Sequence, residues 1–300
     1  MRNKLLDFFE KRSLKFEENA DISAITSIKC GGRANYIVQP SNATDIIDIV
    51  RYLYENQIKY RVIGGMTNTL PPSDNFDGVL IRTHRIDGLH FTDNNSVYAE
   101  AGVSLSELVR QAAMHDIGGF AEFVGIPGTL GGAIFGNAGA HLRSISDTVV
   151  SVKVYDPEMN KTLVFSREDS QFNYRDSIFR QTPRYLILEA ELFGRFCERC
   201  ELTSRMREYI EIRRMRQPLS LPSLGSVFKH PTGDFAPRII EELGLKGLSV
   251  GGASVSEKHA GFIVNSGSAT PDDVKKLIQI IKDEVFRARG ILLEEEINII

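Results

Sequence analysis

The stretch best equipped for chemistry is Gly125–Ile126–Pro127–Gly128–Thr129–Leu130–Gly131–Gly132–Ala133. Eight glycines (Gly118, Gly119, Gly125, Gly128, Gly131, Gly132, Gly136 and Gly139) fall within 22 residues of a chain that holds 25 in all. Glycines three apart carry no side chains, so backbone N–H groups can approach a ligand closely, and consecutive N–H groups form an anion-binding nest. Asn137–Ala138–Gly139–Ala140 extends the stretch with an amide side chain among small residues. The competing reading is a tight structural turn. A second candidate, Gly64–Gly65–Met66–Thr67–Asn68, directly follows an apolar strand pattern and can cradle a phosphate in the same way.

Other chemistries find little support. Cys197–Glu198–Arg199–Cys200 is a C-x-x-C, but Cys30 alone does not supply the second pair that a zinc site needs. The motif also follows a strand pattern rather than sitting in the βαβ setting of a redox dithiol. The histidines (His84, His90, His115, His141, His230, His259) are scattered without ligand spacing, so no metal is expected. No G-x-G-x-x-G is present, which excludes the ordinary dinucleotide fingerprint. The P-loop, H-E-x-x-H and G-x-S-x-G patterns are likewise missing.

These residues must be held by elements whose helix and strand patterns alternate, which argues for a mixed α and β protein. Ala43–Gln57 has helical spacing, followed by strand patterns at Tyr60–Gly64, Gly78–Thr83 and Ser96–Gly102. Ser104–Leu105–Ser106–Glu107 reads as a capping box before the stripe Leu108, Val109 and Ala112. Thr148–Tyr155 alternates, with Val150, Val152 and Val154 on one face, and joins Thr162–Phe165 and Tyr185–Phe193 in an expected antiparallel sheet. Ser204–Gln217 reads as a basic, solvated helix. Ala236–Leu243 is a short helix with Gly244 at its end, and the longest helix runs from Thr270–Pro271 to near Gly290. Ile291–Ile300, with three consecutive glutamates, is expected to be a strand.

At 300 residues, with 42% hydrophobic and 25% charged, the chain reads as a globular protein of more than one domain. A net charge of −3 gives no basic field for nucleic acid or anionic lipid. Three cysteines make no disulfide framework and suit a reducing, cytoplasmic compartment. Asp7 and Glu10 interrupt the first apolar stretch, so no signal peptide is expected there. No apolar run reaches the length of about 18 residues that a spanning helix needs.

Gly125–Ala140 with Ile145–Ser146–Asp147 resembles the flavin-binding stretch of the UDP-N-acetylenolpyruvoylglucosamine reductases, also called UDP-N-acetylmuramate dehydrogenases. The resemblance extends to Ser27–Ile28–Lys29–Cys30–Gly31–Gly32–Arg33–Ala34, Tyr174–Arg175–Asp176–Ser177 and Leu224–Gly225–Ser226–Val227–Phe228–Lys229. Gly244–Leu245–Lys246–Gly247, Val255–Ser256–Glu257–Lys258–His259 and Leu293–Glu294–Glu295–Glu296–Ile297 complete it in family order. Nearly the whole chain is covered, and its length resembles the shorter type of the family.

The resemblance implies an α+β fold: a two-lobed FAD-binding region of the vanillyl-alcohol-oxidase type plus a third, α+β substrate-binding domain. The implied boundaries are residues 1–83 and 84–202 for the flavin lobes, 203–290 for the substrate domain, and 291–300 as a strand returning to the flavin. It implies bound FAD, NADPH as hydride donor, a UDP-sugar substrate and a monomer. The implied reaction reduces UDP-N-acetylenolpyruvoylglucosamine to UDP-N-acetylmuramate for peptidoglycan precursors. Carried over, Ser226 is the proton donor, and Arg175 and Glu296 activate the substrate carboxylate. FAD would lie on Gly64, Gly65, Met66, Thr67, Asn68, Gly125, Gly128, Thr129, Gly131, Gly132, Asn137 and Gly139.

One segment departs from the pattern. The family's first flavin loop reads roughly G-x-G-S-N-L-L, whereas here Met66, Thr67 and Thr69 stand in it and Pro71–Pro72 follow. A methionine disfavours the left-handed backbone that glycine accepts there. That departure motivates an alternative, a catalytically impaired paralogue that binds a UDP-sugar or flavin for regulation.

Overall fold

The structure, a computed structural model, describes residues 2–300. Two compact units form: residues up to Glu18, Asn35–Gly65 and Asp77–Glu211 in the first, and Asn19–Ala34, Met66–Phe76 and Ile212–Ile300 in the second.

In the first unit, an antiparallel sheet orders Lys161–Ser166, Val149–Asp156, Leu186–Phe193, Ser96–Glu100 and Leu89–Phe91. Its apolar face buries Val97, Ala99, Val152, Val154, Ala190 and Leu192 against the helix Leu105–Met114. The alternation read from sequence slips once. A register shift between Val149 and Ser151 turns Val149 into the core and leaves Val150 exposed, because a bulge adds one residue and reverses the facing. A second sheet orders Lys15–Asp21, Arg33–Gln39, Phe76–Arg82 and Tyr60–Ile63, the last pair parallel. The helix Ala43–Glu55 covers it with Ile46, Ile49, Val50 and Leu53, and Asn42 caps that helix through the Asp45 N–H. Half of the expected capping box forms at Ser104. Its hydroxyl accepts from Glu107 N, while the Glu107 carboxylate turns to Arg110 and Gln111 instead.

The basic helix spans Arg199–Arg216, starting earlier than its composition suggests, and buries only Leu202. With so little of its length buried, no apolar stripe marks its start in the sequence.

In the second unit, Ser223–Ser226, Phe262–Asn265, Ala253–Val255 and Ser249–Val250 form a four-stranded antiparallel sheet. The long helix Pro271–Arg289 packs on it through Val274, Leu277, Ile278, Ile281 and Val285. Thr270 and Asp273 make a reciprocal capping box at its start, and left-handed Gly290 ends it. The expected C-terminal strand is only partly regular. It touches Phe228 through a single bridge at Glu295, then pairs Asn298–Ile299 in parallel with Thr69–Leu70. Changing partners after two residues prevents a continuous ladder.

Among the described residues, no helix is long and apolar enough to cross a membrane.

Candidate active site

The glycine-rich segment 125–139 takes its shape from close packing. Leu130 N and Gly131 N donate to the carbonyls of Val103 and Ala101 at 2.8 and 2.9 Å. A Cβ on Gly131 would stand 3.0 Å from the Ala101 Cβ, so a side chain there would press on the strand end. The Thr129 hydroxyl caps the short helix Leu130–Phe135 by accepting from Gly132 N. That hydroxyl is also where the two glycine segments meet, since a Cβ on Gly64 would lie 2.3 Å from Thr129 Oγ1.

Several sequence candidates therefore shape the loop. The Gly131 and Gly132 amides are spent on protein acceptors. Asn137 is buried; its amide donates to the Asn173 carbonyl at 2.7 Å and its side-chain oxygen accepts from Ser146 N. Gly139 pairs with Ser144 in a short hairpin.

The Tyr174–Ser177 motif docks on the end of this loop. Arg175 donates to the carbonyls of Gly139 at 2.8 Å and Asn137 at 3.4 Å, and its guanidinium lies 5.5 Å from the Tyr174 ring centre. Buried Ser177 donates to the Phe135 carbonyl at 2.8 Å. Arg175 has φ +54°, an unusual backbone for a long side chain, held because neighbours on both sides are fixed.

In the second unit, Met66 does adopt the left-handed conformation, at φ +47°. The expectation that methionine avoids it fails because the side chain is buried, 3% exposed, and the Met66 carbonyl accepts from Ser27 N. Asn68 then meets the C-terminal segment: its side chain donates to the Glu296 carbonyl, and its own carbonyl accepts from Asn298 N at 2.9 Å. Pro72, which cannot donate, accepts from Gly32 N.

Ser226 and Glu296 come together here. Glu296 N donates to the Val227 carbonyl at 2.8 Å, and Lys229 N to the Glu294 carbonyl at 2.9 Å. The backbone of Glu296 thus runs beside the residue following Ser226. Ser226 opens on a cavity of about 490 Å³ lined also by His230, Phe235, Arg238, Glu241 and His259. Burial holds the His259 imidazole below its ordinary range, and its Nδ1 accepts from Gly261 N at 3.2 Å. Sequence reasoning missed Phe235, Arg238 and Glu241, whose only sequence signal is the short helix after Phe235.

Cys197 and Cys200 stand at the start of the basic helix, where burial and Glu201 push the Cys197 thiol up. A raised thiol is a poorer nucleophile, so nothing activates Cys197. Among the described residues, no group of three His, Cys, Asp or Glu gathers to hold a metal ion.

Comparison with known proteins decides the family. A reductase from Caldicellulosiruptor saccharolyticus, named UDP-N-acetylenolpyruvoylglucosamine reductase, is 38% identical over 97% of this chain and 94% of its own. One of the same name from Pseudothermotoga lettingae is 41% identical over 91% of this chain and 94% of its own. The chain belongs to the UDP-N-acetylenolpyruvoylglucosamine reductase family. Within it, the family's C-terminal domain matches residues 217–300, and the FAD binding domain matches residues 34–160. The crystal structure of UDP-N-acetylenolpyruvylglucosamine reductase from Thermus caldophilus superposes with a TM-score of 0.79 at 27% identity, covering 95% of this chain and 98% of that one. Cholesterol oxidase from B. sterolicum shares the fold over 62% of this chain and 38% of its own, with a TM-score of 0.50 at 16% identity. The fold is therefore α+β, with the flavin-binding architecture expected from the sequence.

The residues present fit a flavin. Gly64 and Thr129 bring the two loops into contact where any side chain on residue 64 would intrude.

Proposed function

We propose that this protein is an FAD-dependent, NADPH-using enzyme that reduces UDP-N-acetylenolpyruvoylglucosamine to UDP-N-acetylmuramate. The observation that supports this reading is the pairing of Glu296 N with the Val227 carbonyl at 2.8 Å, which brings the backbone of Glu296 next to the residue that follows Ser226. The backbone amides of Gly64, Gly65, Met66, Thr67, Asn68, Gly125, Gly128 and Thr129 would hold the cofactor phosphates, with Gly131, Gly132, Asn137 and Gly139 shaping the cradle. Bound there, FAD supplies hydride transfer from NADPH to the substrate alkene.

The chain's own residues handle the charge and the proton. As hydride arrives, negative charge builds on the substrate carboxylate and the adjacent carbon. Arg175, permanently cationic, offers paired donors to that carboxylate. Glu296 assists only as a hydrogen-bond donor, so it acts in its protonated form. The Ser226 hydroxyl then protonates the carbanion. A hydroxyl is a weak acid, but the carbanion is a strong base, and a neutral donor adds no second anion beside it. Met66 in the left-handed backbone supports the enzyme reading, because the loop keeps a conformation that methionine disfavours.

In this reading, residues 1–83 and 84–202 carry the flavin, 203–290 the UDP-sugar, and 291–300 deliver Glu296. The enzyme works as a cytoplasmic monomer without nucleic-acid or membrane partners. The test is spectroscopic. The purified protein, supplied with FAD, shows a flavin spectrum that NADPH bleaches under anaerobic conditions and the enolpyruvyl substrate restores. A protein that FAD cannot reconstitute contradicts the proposal.

A further inference from the structure

Two polar groups in the second unit lack the partners that burial demands. The Gln217 side-chain oxygen is buried and accepts no hydrogen bond from the described residues. Four positions earlier, Arg213 is half-buried, and its guanidinium makes no ion pair or hydrogen bond among them. Burial alone holds Arg213 below the ordinary guanidinium range, with no carboxylate near enough to offset it. The two side chains do not pair with each other, although Gln217 N donates to the Arg213 carbonyl at 2.8 Å at the end of the helix Arg199–Arg216. An open acceptor and an open set of donors on one helix end fit a ligand that carries an anion next to an O–H or N–H group.

That helix end is tied to the cavity. Lys258 Nζ donates to the Arg214 carbonyl at 2.7 Å, and the next residue, His259, lines the space on which Ser226 opens. Basic side chains around that space are already committed: Arg238 to Asp234 at 2.7 Å, Arg289 to Glu242 at 2.8 Å, and Lys246 to Glu241. A doubly charged diphosphate therefore needs another cation. Arg214 and Arg216 are exposed, so solvent screens what they offer. Arg213 is half-buried, permanently charged and uncommitted.

We propose that Arg213 and Gln217 form a subsite for the diphosphate of the UDP-sugar, with the guanidinium on a phosphate and the Gln217 side-chain oxygen accepting from a neighbouring ribose hydroxyl. The inference rests on the functional reading above and deepens it. NADPH carries the same chemistry, a diphosphate flanked by ribose hydroxyls, so the two ligands are titrated separately.

Isothermal titration of the FAD-loaded protein with UDP reads the subsite. Arg213→Gln weakens UDP by at least about tenfold, as loss of a hydrogen bond to a charged group does. In the same variant the NADPH concentration that half-saturates flavin bleaching stays within about twofold of the parent. Gln217→Leu weakens UDP by about fivefold, yet melts no lower than the parent, because leucine removes a buried acceptor that the protein itself leaves unsatisfied. UDP affinity within about twofold of the parent in either folded variant overturns the proposal, as does weakened NADPH with unchanged UDP. Gln217→Leu alone decides if Arg213→Gln does not fold. A parent that binds FAD but not UDP overturns the functional reading itself.

Discussion

The two glycine loops reach comparable shapes by different means. The segment 125–139 keeps its glycines where neighbours approach, as at Gly131 against Ala101. The segment 64–68 keeps glycine at Gly64, against Thr129, yet places a buried methionine at a left-handed position two residues later. The difference teaches that glycine serves two separable needs. Where space is lacking, no other residue fits. Where only the backbone angle is unusual, a well-buried side chain can offset a strain of about 1–2 kcal/mol.

Substitutions can break or sharpen that contrast. The largest effect is expected at Gly64→Ala, whose Cβ would meet the Thr129 hydroxyl. We expect a loss of about 2–3 kcal/mol in unfolding free energy and weaker FAD retention. Thr129→Ala alone removes a helix cap and costs about 1 kcal/mol. The double variant should be more stable than the sum of the two losses, because deleting the hydroxyl relieves the crowding. Strict additivity in denaturant titrations would show that crowding is not the cause. Gly131→Ala comes next, at about 1–2 kcal/mol, with a lower melting temperature, since its Cβ would crowd Ala101 at 3.0 Å. The smallest effect belongs to Met66→Gly. Relief of the left-handed strain is outweighed by loss of a buried side chain and the added chain entropy, for a net cost of about 1 kcal/mol. A Met66→Gly protein more stable than the parent would break the comparison.

The same distinction explains what the sequence made legible. The long helix Pro271–Arg289 was readable end to end, because its cap, its proline and Gly290 are local signals and its apolar stripe has one period. The antiparallel sheet was readable too, apart from the bulge at Val150, which depends on the partner strand and leaves no mark in a single sequence. Site residues emerged as types in family order, while their neighbours did not. Nothing local tells that Asn137 spends its amide on Asn173, or that Asn68 meets the C-terminal segment across 228 positions of sequence. The glutamate run shows the limit most clearly: its composition suggests a solvated charge cluster, whereas in the fold Glu294 meets Lys229, Glu295 meets Lys282 and the Glu296 backbone joins Val227 and Asn68.

The central claim is that Ser226 delivers the proton that completes substrate reduction. Anaerobic stopped-flow on Ser226→Ala, reconstituted with FAD, tests it most directly. The account predicts that NADPH still bleaches the flavin while recovery on adding the enolpyruvyl substrate falls by at least about a hundredfold, within the range for a lost proton donor. Recovery at the parental rate, or loss of bleaching itself, would contradict it.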